Sequence, residues 1–175
     1  MHVKNTLTEY SLVSKLLHWI SAVLLFAQIP LGFYLVDLDF GPERLSLENI
    51  HITAGLSIFY LIILRLLYKL FNPTPKLKPS IFKSQRFLAK LNHIMLYVTI
   101  LSITISGILK KLFNGESLTI ILKKIKIQDN FQLSEFFYDV HVFSNYLLIV
   151  LIAIHLLAVI AHKLFFNDNL LKRML

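Results

Sequence analysis

Four stretches without a single Asp, Glu, Lys or Arg decide what this 175-residue chain can fold into. Twenty-one residues separate Lys15 from Asp37, 19 separate Lys90 from Lys110, and 23 separate Asp139 from Lys163. A shorter window of 16 runs from Asn49 to Leu64, extended where Arg65 and Lys69 snorkel to the interface. A helix rises 1.5 Å per residue, so about 20 apolar residues cross a hydrocarbon core roughly 30 Å thick. The windows predict four transmembrane helices, near residues 13–36, 48–71, 90–110 and 135–164. They imply an all-α fold: an integral membrane four-helix bundle, antiparallel and up-down, forming one domain over 1–175.

Only 16% of the residues are charged and 56% are apolar. That excludes disorder and argues against a soluble domain, where about a quarter are charged. The absence of cysteine excludes disulfides, Cys-ligated zinc or iron–sulfur clusters, thiol catalysis and c-type haem attachment. A net charge of +8 in a soluble protein suggests nucleic acid; in a membrane chain the placement of the charge matters more, and no nucleic-acid partner is expected here. Twelve of the 18 basic residues fall on one side: Lys4, Lys15, Arg65, Lys69, Lys76, Lys78, Lys83, Arg86, Lys90, Lys163, Lys172 and Arg173. The first loop, Asp37 to Glu48, carries four acids and one Arg. The positive-inside rule then puts both termini in the cytoplasm. The third loop works against it with Lys110, Lys111, Lys123, Lys124 and Lys126, and its segment Leu118–Ile127 reads as an interfacial amphipathic helix. The first apolar run is too long for a cleaved signal and is expected to stay as an anchor. The Asn72-Pro73-Thr74-Pro75…Pro79 stretch reads as a stiff connector ending the second helix.

Six of the seven histidines, at 18, 51, 93, 141, 155 and 162, lie within or at the edge of these spans, where ionisable groups are rare and usually functional. In the fourth helix, His141 and His155 are 14 residues apart, about 40° in azimuth and about 21 Å in height. They face one way at opposite depths. With antiparallel helices, His18 pairs with His155 at the inner depth and His51 with His141 at the outer. Two His–His pairs stacked across a bilayer are what two b-type haems need, since one imidazole from each of two helices fills both axial positions. A filled iron cannot take oxygen as a substrate, which leaves outer-sphere electron transfer. Gly55, four residues past His51, offers a flat macrocycle close approach to the backbone, or simply a tight helix contact. The competing reading of these histidines is a metal transporter. It needs imidazoles converging on one ion, against which the depth split and the lack of intramembrane carboxylates both argue.

A set of segments resembles the bacterial cytochrome b561 family across almost the whole chain. It comprises His18-Trp19, Asn49-Ile-His51-Ile-Thr-Ala-Gly55 followed by Arg65-Leu-Leu, the Asn72–Pro75 connector, His141 and His155, Ala161-His162 and Phe166-Asn-Asp-Asn-Leu170. The resemblance implies four helices and two haem b in a bacterial inner membrane, with electrons exchanged with the quinone pool. It implies His18, His51, His141 and His155 as axial ligands. One branch of the family oxidises superoxide on the outer side and reduces ubiquinone, which implies an oxidoreductase. Another arrangement of the same parts is a cytochrome b anchor subunit serving a separate dehydrogenase.

Further candidates follow from position. His162 is one heptad past His155, and with Trp19 it is the candidate quinone partner at the inner edge; an interfacial His and an aromatic-belt Trp are the plainer alternative. Arg65 is the candidate partner of a haem propionate, or else snorkels to phosphates. Lys123, Lys124 and Lys126 make a positive patch that steers a small anion such as superoxide, or else a solvated face. His93 is expected to be interfacial or haem-packing rather than a ligand.

Overall fold

The computed structural model describes residues 4–6, 9–75, 82–165 and 169–175. His2, the Lys76, Lys78 and Pro79 part of the connector, and Phe166, Asn167 and Asp168 of the exit motif lie outside the described residues. Four long helices dominate: α1 (Leu12–Asp37), α2 (Pro42–Phe71), α3 (Lys83–Phe113) and α4 (Phe131–Phe165). Each is long and apolar enough to cross a membrane. A small hairpin of β1 (Leu118–Ile120) and β2 (Lys123–Ile125) joins α3 to α4, and a 3₁₀ turn over Leu171–Arg173 follows α4.

The helices overrun the charge-free windows, most of all at the starts of α2 (Pro42 rather than 48) and α3 (Lys83 rather than 90). The added turns carry Glu43, Arg44, Lys83 and Arg86. Absence of charge measures only the part of a helix that crosses hydrocarbon; the ends continue into the wet interface. Local chemistry sets the boundaries. Ser11 caps α1, its hydroxyl accepting from the Ser14 N–H at 3.2 Å. Pro42 sits in the first turn of α2, where no intrahelical partner is lost. Asn130 accepts from the Leu133 N–H at 3.1 Å to open α4. α3 stops in a Schellman turn: Gly115, at φ +82°, donates to the Leu112 carbonyl and Glu116 to that of Lys111.

The segment expected as an amphipathic helix is the hairpin instead. Leu118 pairs with Ile125, Thr119 with Lys124 and Ile120 with Lys123. Thr119, Ile120 and Ile125 are β-branched, and ten residues are too few to sustain a helix without strong propensity. Ile121 and Leu122 form the turn with φ of 46° and 65°, the left-handed geometry of tight hairpins, which costs an isoleucine strain.

The bundle is assembled along one seam per helix. α1 packs on α2, α2 on α3 and α3 on α4. The inward positions recur at three, four or seven residues, as in left-handed helix pairs: Ser21 and Gln28 in α1, Ile58 and Ile62 in α2, Ile100 and Thr104 in α3, Ser144, Leu148 and Leu151 in α4. Ile58, Ile62, Ile100 and Leu148 form the buried core at mid-height. Small hydroxyl residues let the helices close up, the Ser102 and Ser144 hydroxyls meeting at 2.9 Å between α3 and α4.

Candidate functional site

Every helix contributes two positions 14 residues apart on its seam, and these build two layers. The layer near the hairpin holds Gly32, His51, Gly107 and His141; the layer at the other end holds His18, Arg65, His93 and His155. Fourteen residues make four turns at the 3.5-residue period of a left-handed bundle, which keeps both positions on one face about 21 Å apart. Between the layers lies the apolar core, with Leu148 midway between His141 and His155.

In the first layer the rings of His51 and His141 lie 6.2 Å apart between centroids, inclined at 70°. In the second, His18 and His155 lie 6.5 Å apart at 57°. A metal ion sits about 2 Å from an imidazole nitrogen, itself about 1.1 Å from the ring centroid, so two rings facing across one ion stand about 6.3 Å apart. Both pairs fit that spacing. His93 approaches His155 more closely, at 5.3 Å and 79°, an edge contact without room for an ion. Its Nδ1 is 2.6 Å from the Ala89 carbonyl. His93 therefore packs against a member of the pair rather than forming one.

Glycines guard the first layer. A Cβ on Gly32 would stand 3.3 Å from His51 Cε1, and one on Gly107 would stand 3.2 Å from His141 Cε1 and Nδ1. Neither position was singled out from the sequence. The signal was there in the 14-residue offsets from His18 to Gly32 and from His93 to Gly107. Gly55, the glycine chosen instead, faces open space.

Within the two couples, two hydrogen bonds set ring tautomers. His141 Nδ1 lies 2.8 Å from the Ile103 carbonyl, so Nδ1 donates and Nε2 keeps its lone pair, the form that ligates a metal. His18 Nδ1 lies 2.7 Å from Arg65 Nη2; guanidinium only donates, so here Nδ1 accepts and Nε2 carries the proton. Were His18 to ligate a metal through Nε2, that proton would have to move to Nδ1, which would free Arg65 for an anion. Arg65 also lies 5.5 Å from the Tyr97 ring, with Lys69 at 4.9 Å from the same ring. Among the described residues, His51 Nδ1 is buried without a hydrogen-bond partner.

At the same end Trp19 stands edge-on to His18 at 5.4 Å and donates its indole N–H to the Met174 carbonyl at 2.7 Å. The donor expected for a quinone is thus engaged by the turn that follows α4. His162 lies half-buried one heptad past His155. Lys123, Lys124 and Lys126 are exposed on and just after the hairpin.

A family model described as prokaryotic cytochrome b561 matches residues 9–175. The chain belongs to the prokaryotic cytochrome b561 family. It is 25% identical over 179 aligned positions to "Cytochrome b561 homolog 2" of Escherichia coli K12, covering all of this chain and 95% of that one. It is 26% identical to "Probable superoxide oxidase CybB" of Yersinia pestis (95% and 96% covered) and 27% identical to "Cytochrome b561 homolog 1" of Escherichia coli K12 (97% and 98%). As a cytochrome b561 it is a haem b membrane protein of electron transport. The two imidazole pairs, and the glycines against the rings of the first, fit such a group, whereas among the described residues no three His, Cys, Asp or Glu side chains gather as a single metal-ion site.

Proposed function

We propose that this cytochrome b561 carries electrons across the bacterial inner membrane between an outer-face donor, superoxide being the candidate, and the quinone pool, using two bis-histidine haem b sites. The observation that carries this reading is the pair of imidazole couples at 6.2 and 6.5 Å on either side of an apolar core. His51 and His141 would hold the outer group and His18 and His155 the inner one. Haem b supplies one-electron redox chemistry without covalent chemistry on the protein.

The chain's own residues do the rest. The Ile103 carbonyl orients His141 and raises its basicity. Arg65, released from His18, offers a charge-assisted partner to a propionate at the inner layer. Ile58, Ile62, Ile100 and Leu148 keep water out between the layers. His162 offers a proton and hydrogen-bond partner for quinone at the inner edge; Trp19 joins it once Met174 moves aside. The lysines at the hairpin give the outer end the charge that attracts a small anion. The twelve basic residues at that end support placing both termini in the cytoplasm in this arrangement. The superoxide reading draws on the likeness to the Yersinia pestis protein described as a probable superoxide oxidase.

Haem counting by pyridine haemochrome on the purified chain and four single His→Ala variants tests the ligand set. Two haems in the parent are expected. H51A and H141A should lose the same spectral component, and H18A and H155A the other. Retention of both haems in any of the four variants overturns the assignment. Reduction by superoxide, and reoxidation by a ubiquinone analogue that slows in His162→Phe with both haems kept, test donor and acceptor.

A further inference from the structure

The hairpin is not simply a loop above the membrane. Its tip is apolar, Ile120-Ile121-Leu122, and the last two residues are 78% and 99% exposed, touching little of the protein. At its base Leu118 is buried, and β1 packs on α3. The tip is tied down where the Ile121 N–H donates to the Tyr60 hydroxyl at 3.1 Å. Tyr60 lies deep within α2. The charge-free window begins at Asn49, and at 1.5 Å per residue Tyr60 is about 17 Å further into the bilayer. A phenol reaches back little more than one helical turn, about 6 Å, so the tip lies about 10 Å below the edge of the hydrocarbon.

We infer that the β1–β2 hairpin dips into the bilayer leaflet at its own end of the bundle, with Ile121 and Leu122 among the acyl chains. The lysines then sit where charge belongs. Lys123 and Lys124 follow the tip directly and snorkel back toward the lipid phosphates, with Lys126 beyond them. The Tyr60 hydroxyl answers a backbone N–H that lipid cannot satisfy, which explains a polar group at that depth of α2. The occupant of the exposed tip is thus the acyl layer itself. The inference uses no haem and no histidine, so it stands apart from the haem-ligand reading; it competes only with anion steering for Lys123, Lys124 and Lys126.

The chain has no cysteine, so single labels need no background changes. Nitroxides at Leu122→Cys and Ile121→Cys, with Gln128→Cys as the exposed reference, are read in the full-length protein in nanodiscs of phosphatidylcholine with phosphatidylglycerol. Collision with a water-soluble nickel chelate is expected to be several-fold lower at 121 and 122 than at 128, and collision with oxygen higher. Two tip sites keep one disturbed label from deciding, and an unchanged helical circular dichroism spectrum checks the fold. Nickel access at both tip sites equal to that at Gln128→Cys overturns the inference.

Discussion

Single atoms separate the histidine couples from ordinary packing. The 3.2 Å clearance at Gly107 leaves no room for a side chain against His141 unless the ring or the helix shifts. On the proposed ligand set, Gly107→Val should therefore displace the His141 ring and empty the His51–His141 site, while the other component of the haem spectrum stays. A two-haem spectrum in G107V would mean the ring yields without cost. Arg65 makes a different prediction. Replacing it with Met removes a cation beside the inner layer. At an effective dielectric near 20 and about 10 Å, that cation contributes about 1–2 kcal/mol to holding an added electron. One of the two midpoint potentials should fall by tens of millivolts, on the scale of about 59 mV per tenfold for one electron, and the other should barely move. A redox titration with both potentials unchanged would place Arg65 at lipid phosphates instead.

Elements show where the amino-acid pattern was legible and where it was not. The four spans could be read because hydrocarbon excludes charge, and so could the depth pairing of the histidines, because helical rise converts spacing into height. The starts of α2 and α3 could not, since Pro42 and Lys83 lie where water satisfies charge and hydropathy falls silent. The third loop misled for a related reason: apolar and basic residues alternate in a way that suits an amphipathic helix, while the decisive contact is the long-range bond from Ile121 to Tyr60. The glycine facing His141 is marked in the sequence only by its 14-residue offset from His93, because a residue without a side chain otherwise shows only in what it makes room for. At the α3 exit Gly115 holds a left-handed φ, so Gly115→Ala should cost about 1 kcal/mol and loosen the loop, read by hydrogen exchange at residues 114–118. Beside it, burial pushes the Glu116 carboxyl up, but hydrogen bonds from Lys111 and Asn114 and the charges of Lys111 and Lys110 outweigh burial and hold it below the usual range. Its contribution is present above the unfolded glutamate value of about 4.3 and is lost as pH falls through the lower folded value. Protection of the 114–118 amides should drop in acid, and Glu116→Gln should flatten that dependence.

At the scale of the whole molecule, the seam that joins the helices also divides them. On α4 the stripe reads Ser134, His141, Leu148, His155, His162, one position per heptad. Leu148 is 1% exposed and packs with Ile58, Ile62 and Ile100, so the layer that holds the bundle together is also the one that keeps the two histidine couples apart and dry. Leu148→Ala should cost about 2–5 kcal/mol in stability, the range for a buried leucine, yet leave both couples at their spacing, since Leu148 lies seven residues from each histidine. Leu148→Asn puts an amide in the same place. The variant keeps more of the volume but brings a polar group that needs hydrogen-bond partners, and water drawn in to serve it raises the local dielectric. Both haem potentials should then move together, because a wetter middle changes the solvation of each layer alike, in contrast to the one-sided shift expected of Arg65→Met. If the leucine layer is only mechanical, L148N will lower the melting temperature as L148A does and leave both potentials where they were.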